Sequence, residues 1–400
     1  MDLLSGVRVV SFNHFLLGPL AMQALADMGA DVIAVESIEG AFQRHWAGGD
    51  VWVDGQSAFH LCANRGKRSV ALNLKDPQGR AIALDLAAGA DVVGENFRPG
   101  VIEKLGLGYD AVRARNPKVI YASATGYGRD GPCAEEPGQD LLIQAVSGLA
   151  AVTGNREDRA RPVGVSAVDH HGAALLAMGI LAALLRRERT GEGGRVDVDL
   201  LSAALHLQTE SLTAYTNGSG TEDERAPRWI AGWHYPAPYG VYPTADGHIA
   251  ISLCDLGALA DALGRPEVTR VAGNGGFDGR DELAALVADA VAAEPTAHWL
   301  EALTAKGIWH APVNGYAEVI DHPQVRHNGS LATVEGATGA PVTLVRHPVA
   351  YDGARPDTGL PPQPLGAQTA EVLRELGHDD AAIAALAEAG AIGLPDAIPS

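Results

Sequence analysis

The chain is poor in cysteine, in aromatic residues and in positive charge, and each shortage narrows what it can be. Only three cysteines occur in 400 residues, at positions 62, 133 and 254, and none belongs to a CxxC pair. That pattern excludes a disulfide framework and a zinc knuckle, and it fits a reducing, cytoplasmic compartment. Lys and Arg number 30 against 49 Asp and Glu, for a formal charge of −19. Nucleic acid and anionic membranes both require a positive face, so neither is an expected partner. The opening MDLLSGVRVVSF lacks a charged segment followed by a long apolar one, so no signal peptide is expected. The longest apolar run, Gly172 to Leu185, is short and rich in Ala and Gly, which argues against a membrane span.

Several catalytic signatures are missing as well. The loop after the first β-like run reads NHFLLGPLAMQ, not GxGxxG, so a dinucleotide site has little support. GVSAV offers Ser166 without the second glycine of a nucleophile elbow, which disfavours an α/β-hydrolase. The 14 histidines form neither HxH nor HExxH. His170 and His171 are adjacent, and adjacent residues of a helix face different ways. Neither a metal nor a bound cofactor is therefore expected.

What is present is a strong alternation. VRVVSF (7–12), DVIAVES (31–37), SVALNL (69–74), DVVGEN (91–96) and KVIYASATG (118–126) read as strands, separated by helical patterns such as LAMQALADMG and PQGRAIALDLAAGA. Apolar, β-branched strands alternating with helices imply a parallel sheet covered on both faces, an α/β Rossmann-like core. Such sheets bind ligands beyond the carboxyl ends of their strands. The loops of interest are thus those after Phe12, Ser37, Leu74, Asn96 and Gly126. RVDVDLL (195–201) reads as a further strand, NGSGTEDERAPRW (217–229) as a linker, and YGVYPTADGHIAISL (239–253) as a hairpin turning at Asp246-Gly247.

Three segments carry possible chemistry. NRGKRSVALNLK (64–75) gathers Arg65, Lys67, Arg68 and Lys75 in an acidic protein, either as solvated surface charges or as a phosphate site. NFRPG, holding Asn96, Phe97 and Arg98, is either turn chemistry or an amide and an aromatic face offered to an adenine. GVSAVDHHGAALLAMGILAALL (164–185) sets one carboxylate, Asp169, at the head of an apolar helix. Asp is a preferred helix cap, and capping is the plainest reading of local sequence. A carboxylate at a helix start that opens into a cleft is also able to attack an electrophile.

Taken in order, these segments resemble the family III CoA-transferases of the CaiB/BaiF type, which include formyl-CoA and crotonobetainyl-CoA:carnitine transferases. LSGVRVVSF…GPLAMQALADMGADVIAVE, ANRGKRSVALNLKDPQGR, ADVVGENFRPGVIEKLGLGYD, PKVIYASATGYGRDGP and GQDLLIQAVSGLAAVTG follow one another as in that family. The Asp169 helix with RRERTGEGGRVDVDLLSAA comes next, then APVNGYAEVIDHPQV and PLGAQTAEVLRELG. The resemblance implies an interlocked homodimer. Its large Rossmann-like CoA-binding domain would span 1–215 and be completed by 326–400, with a smaller α+β domain over 216–325.

It also implies a site. Asp169 matches the family nucleophile. CoA contacts carry over to Leu72, Lys75, Asn96 and Phe97, with Arg98 beside them and Lys104 at a usually basic position. The loop from His14 through Leu16 to Gly18 would border the thioester, and Gln139 and Asp140 of GQD would lie near Asp169. The substrates implied are an acyl-CoA and a small carboxylic acid, with CoA as part of the substrate rather than a cofactor. Two departures stand out. Ala34 stands where many members have Lys, and Ser37 where some have Arg or Pro. Gln139 stands where the related α-methylacyl-CoA racemases carry a histidine, and an amide cannot shuttle protons, so racemisation is disfavoured. The glycine run that covers the site in the formyl-CoA:oxalate branch corresponds here to WIAGWHYPAPYG (229–240).

Overall fold

The structure is a computed structural model that describes residues 2–218, 225–272 and 276–395. Of the segment 217–229 expected to be a linker, residues 219–224 lie outside the described residues. The chain divides into two compact units. The first comprises 1–143, 166–204 and 323–400, and the second 144–165 and 205–322. Residues 144–165 and 205–215, expected with the large domain, fall in the second unit.

The first unit is built on a seven-stranded sheet. Its strands are β1 (Arg8–Phe12), β2 (Asp31–Glu36), β3 (Lys67–Leu72), β4 (Val92–Glu95), β5 (Ile120–Thr125), β6 (Gly194–Asp199) and β7 (Ile392–Gly393). The spatial order is β7-β3-β2-β1-β4-β5-β6. All neighbours run parallel except β7, which pairs antiparallel with β3 through Ile392 and Leu72. The parallel α/β core expected from the alternation is therefore present. From β1 the chain works outward through β2 to β3, then returns to the other side of β1 for β4, β5 and β6. The order thus reverses between β1 and β4, the place where such sheets open a crevice at their carboxyl edge.

Four helices matter for the site: α1 (Leu17–Asp27), α2 (Pro77–Ala88), α3 (Asp140–Val146) and α4 (Ala167–Thr190). α2 starts where Asp76 accepts the Gln78 amide at 2.8 Å and Pro77 takes the first helical position. α4 stops at Gly191, whose φ of 75° is the left-handed conformation glycine adopts without strain, and Arg187 and Arg189 complement its last turn. Among the described residues, α4 is the one helix long and apolar enough to cross a membrane, by length and composition. One side of it, however, packs on its own unit. A Cβ at Gly172 would sit 2.6 Å from Leu17 Cδ1, so only glycine lets α4 approach the first turn of α1 this closely. Val10, Phe12, Ile33, Val70, Leu72, Val93 and Tyr121 form the buried layer between the sheet and the helices on one face.

The basic cluster at 65–68 resolves into structure. Arg65 is buried and donates to both carboxylate oxygens of Asp27, at 2.8 and 2.7 Å. Lys67 Nζ donates to Pro19 O, Ala63 O and Asn64 Oδ1, and burial pushes its pKa down to about 7. Arg68 pairs with Asp31, Glu371 and Glu375. These cations tie the C-terminal segment and α1 to the sheet and leave nothing for a phosphate.

The second unit carries the expected hairpin, Gly240–Pro243 against His248–Ile251, extended by His310–Pro312 into a three-stranded sheet. Helices including Leu256–Leu263, Arg280–Val291 and Thr296–Ala305 cover a core around Tyr242, Ile249, Leu283 and Trp299. Its 229–240 segment is held by rings rather than glycines: Trp233, His234, Tyr235 and Tyr239 follow one another at centroid separations of 5.3, 4.2 and 4.4 Å. In the first unit, the Pro/Gly-rich stretch after 339 contains a strand the sequence did not announce, Pro341–Val345 paired with Leu331–Glu335. Its short alternation, flanked by glycine and proline, is masked by turn residues.

Candidate active site

The strand reversal is flanked by the residues that follow β1 and β4. Asn96 clamps the β1 loop with both ends of its amide. Its Oδ1 accepts the His14 amide at 2.8 Å and its Nδ2 donates to His14 O at 2.8 Å. The His14 ring lies 5.2 Å from the Phe97 ring and 4.9 Å from Phe15. Burial pushes the His14 pKa down to about 4, so the imidazole is neutral at physiological pH. Phe15 holds a φ of 58°, a strained conformation for a bulky residue, and its amide is pinned by the buried Gln43 Oε1 at 3.1 Å. Gly18 is required by packing, because a Cβ there would fall 2.1 Å from Asn13 Oδ1.

Cations border this edge. Lys75, three residues beyond β3, and Arg98 and Lys104, beyond β4, are exposed, and no ion pair among the described residues engages them. They follow different strands, β3 and β4, which lie three strand spacings apart, about 14 Å. Leu72 and Leu16 are buried, at 0% and 4% exposure, so each offers a ligand its backbone rather than its side chain.

Asp169 is not the helix cap that local sequence suggests. α4 begins two residues earlier, at Ala167, and its N-cap position, Ser166, makes no side-chain capping bond. The cap comes from α3. Asp140 Oδ2 accepts the Val168 amide at 2.9 Å and the Asp169 amide at 3.0 Å, meeting two of the four donors a helix start leaves open. The Asp169 carboxylate is thereby released from capping. It is half-buried, and no donor to its oxygens is found among the described residues. Burial, followed by the like charge of Asp140, pushes its pKa up to about 7. The Leu17–Gly172 contact, one turn into α4, sets this carboxylate beside the loop that carries His14 to Gly18.

The structure therefore brings Asp169, Asp140 and the α1 loop together, and joins that loop to Asn96 and Phe97. Gln139 is exposed and adjacent to Asp140, and among the described residues no hydrogen bond joins its side chain to Asp169. His170 Nδ1 lies 2.8 Å from Ser166 O, so its ring turns back along its own helix. Two residues escaped the sequence reading. Glu95 is a buried strand-end carboxylate, and Gln43 reaches the Phe15 amide from a distant segment. Glu95 was detectable as an acid at the end of an apolar strand; Gln43 had no signal.

A family model described as CoA-transferase family III matches residues 4–369. The chain belongs to the family III CoA-transferases. It is 33% identical to human succinyl-CoA:glutarate CoA-transferase, over 97% of this chain and 90% of that protein. It is also 33% identical to acetyl-CoA:oxalate CoA-transferase from Acetobacter aceti, over 94% and 96%. A crystal structure of a CaiB/BaiF family protein from Brucella suis superposes with a TM-score of 0.82 at 30% identity, covering 94% of this chain and 99% of that one. An enzyme of this transferase type acts on an acyl-CoA and a carboxylate.

Proposed function

We propose that this enzyme moves CoA from an acyl-CoA to a free carboxylic acid through covalent intermediates on Asp169. One observation carries the reading: a half-buried carboxylate, released from helix capping and without a hydrogen-bond donor among the described residues, stands beside the loop at the strand reversal. A carboxylate in that setting is poorly solvated, which raises its nucleophilicity once it is ionised. Exchange between two acids is nearly isoenergetic, so the reaction needs no ATP and no metal.

Asp169 attacks the thioester carbonyl and expels CoA thiolate, leaving an aspartyl–acyl mixed anhydride. The thiolate attacks the aspartyl carbonyl, forming an aspartyl-CoA thioester and releasing the donor acid. The incoming carboxylate attacks that thioester carbonyl, giving a second mixed anhydride and free thiolate. Attack of the thiolate on the acyl carbonyl yields the new acyl-CoA and regenerates Asp169. Each tetrahedral oxyanion needs donors, and the first-turn amides of α1, which carry no side-chain cap, are suited to supply them. Asn96, Phe97, Arg98, Lys75 and Lys104 would hold CoA along the sheet edge.

The racemase reading loses part of the argument against it. The exclusion rested on Gln139, yet Asp140 places a second titratable group next to Asp169. Asp140 is committed to two backbone amides, which ties its oxygen to the helix start and not to a substrate Cα. An interlocked homodimer in the cytoplasm completes the reading. Exposed apolar side chains on α3 (Leu141, 58%) and α4 (Met178, 61%; Leu185, 52%) support a covered surface there.

The test is mass spectrometry after incubation with a panel of acyl-CoAs and free acids, scoring new acyl-CoA species and adducts on the protein. Transfer with an acyl or CoA adduct on Asp169, both lost in Asp169→Ala, is the expected result. Transfer that survives in Asp169→Ala refutes the mechanism.

A further inference from the structure

We propose that Glu95 is a positioning residue for CoA, its carboxylate holding the Asn96–Phe97 turn in the shape that grips both the β1 loop and the ligand. The inference rests on the reading that CoA lies along this sheet edge, and it extends that reading to a residue that touches no substrate. Glu95 ends β4 at the strand reversal, opposite Phe12 on β1 and Ser123 on β5. It is 3% exposed, and Ser123 is equally buried. Its Oε1 meets the Ser123 hydroxyl, and its Oε2 accepts the Phe97 amide at 2.9 Å.

A buried carboxylate at a strand end is costly, and an apolar residue would pack there more cheaply. Burial pushes its pKa up to about 7 despite the two donors. What the acid supplies is an acceptor for an amide that the end of the strand leaves unpaired. That amide belongs to Phe97, whose ring stacks near His14, and the preceding residue, Asn96, clamps His14 from both sides. Glu95 thus links β5 through Ser123 to the turn, and the turn to the loop beside Asp169. The charged groups facing it are Arg129, after β5, and Glu103 in the helix Val101–Lys104, themselves paired at 3.3 Å. Tyr121 contributes no proton, since its hydroxyl donates to Leu107 O. On the β1 side lies the neutral Asn13.

The experiment measures desulfo-CoA affinity by calorimetry, with steady-state KM and kcat, in the full-length enzyme and three variants. Glu95→Ala should bind desulfo-CoA about tenfold more weakly and raise KM for acyl-CoA in step, with kcat reduced far less, as loss of a charge-assisted hydrogen bond predicts. Ser123→Ala should shift both in the same direction by less. Glu95→Gln, which accepts from Phe97 and donates to Ser123, should stay within about threefold of wild type. If Glu95→Ala does not fold, Glu95→Met, of similar length and without an acceptor for the Phe97 amide, carries the test in its place: it should weaken desulfo-CoA binding about tenfold while Glu95→Gln stays within about threefold of wild type. Glu95→Ala or Glu95→Met binding as tightly as wild type, or Glu95→Gln binding as weakly as Glu95→Met, overturns the proposal. Absence of desulfo-CoA binding in wild type overturns instead the CoA reading on which it rests.

Discussion

Replacing Asp169 by Asn should stabilise the protein in alkaline solution while abolishing its activity, and the size of the gain follows from the site. The folded carboxyl titrates near 7 rather than at its ordinary 3.8. Between those two values the native state holds more protons than the unfolded chain, so stability falls as pH rises through this window and is flat above it. At 1.36 kcal/mol per pKa unit, ionising Asp169 costs the fold about 4 kcal/mol. Asn keeps the size and the helix start but never ionises. The variant should match wild type near pH 4 and exceed it by about 4 kcal/mol at pH 8, or about 8–16 °C in melting temperature for a domain of this size. Scanning calorimetry at fixed protomer concentration across that pH range is the assay, with transfer activity measured on the same samples. A melting-temperature difference that does not change with pH would show that Asp169 is solvated, and the argument from burial would fail.

Removing the like charge beside Asp169 should move its titration downward. Asp140→Asn is expected to shift the rise of kcat/KM with pH toward acid, and an unchanged profile would deny the coupling. Asp140→Ala should in addition lower the melting temperature, because two helix-start amides lose their acceptor at a cost of roughly 1–2 kcal/mol. Lys75→Ala and Lys104→Ala should each weaken CoA binding and flatten its dependence on salt; unaltered affinity in both would return them to the solvated surface. A 2-methylacyl-CoA incubated in D₂O should show no exchange at Cα while CoA transfer to an acid proceeds. Rapid exchange without transfer would favour proton shuttling by Asp169 and Asp140.

Much of the fold was legible in sequence because its signals are local. Apolar strands at regular spacing, separated by helical periodicity, specify a parallel sheet whichever residues lie opposite one another. Gly191 closing α4, Asp76-Pro77 opening α2 and Asp246-Gly247 in the hairpin each act on backbone within a few residues of their own position. The ordered motifs pointed to the family and to Asp169, Asn96 and Phe97 for the same reason.

What local sequence could not decide was partnership. Asp169 looked like a cap because Asp usually is one, and Asp140, 29 positions away in the chain, took that role instead. Arg65 and Arg68 were open to two readings, solvated surface charges or a phosphate site, because their partners Asp27, Asp31, Glu371 and Glu375 are distant in sequence. Glu95 gave no sign that its acceptor serves the Phe97 amide and its other oxygen the neighbouring strand. Burial and pairing of charge depend on three-dimensional neighbours, so composition supplies the charges and tertiary structure alone decides which are neutralised. Among the described residues no ion pair engages Lys75, Arg98 or Lys104 and no donor reaches the Asp169 carboxylate, and these are the groups available to a substrate.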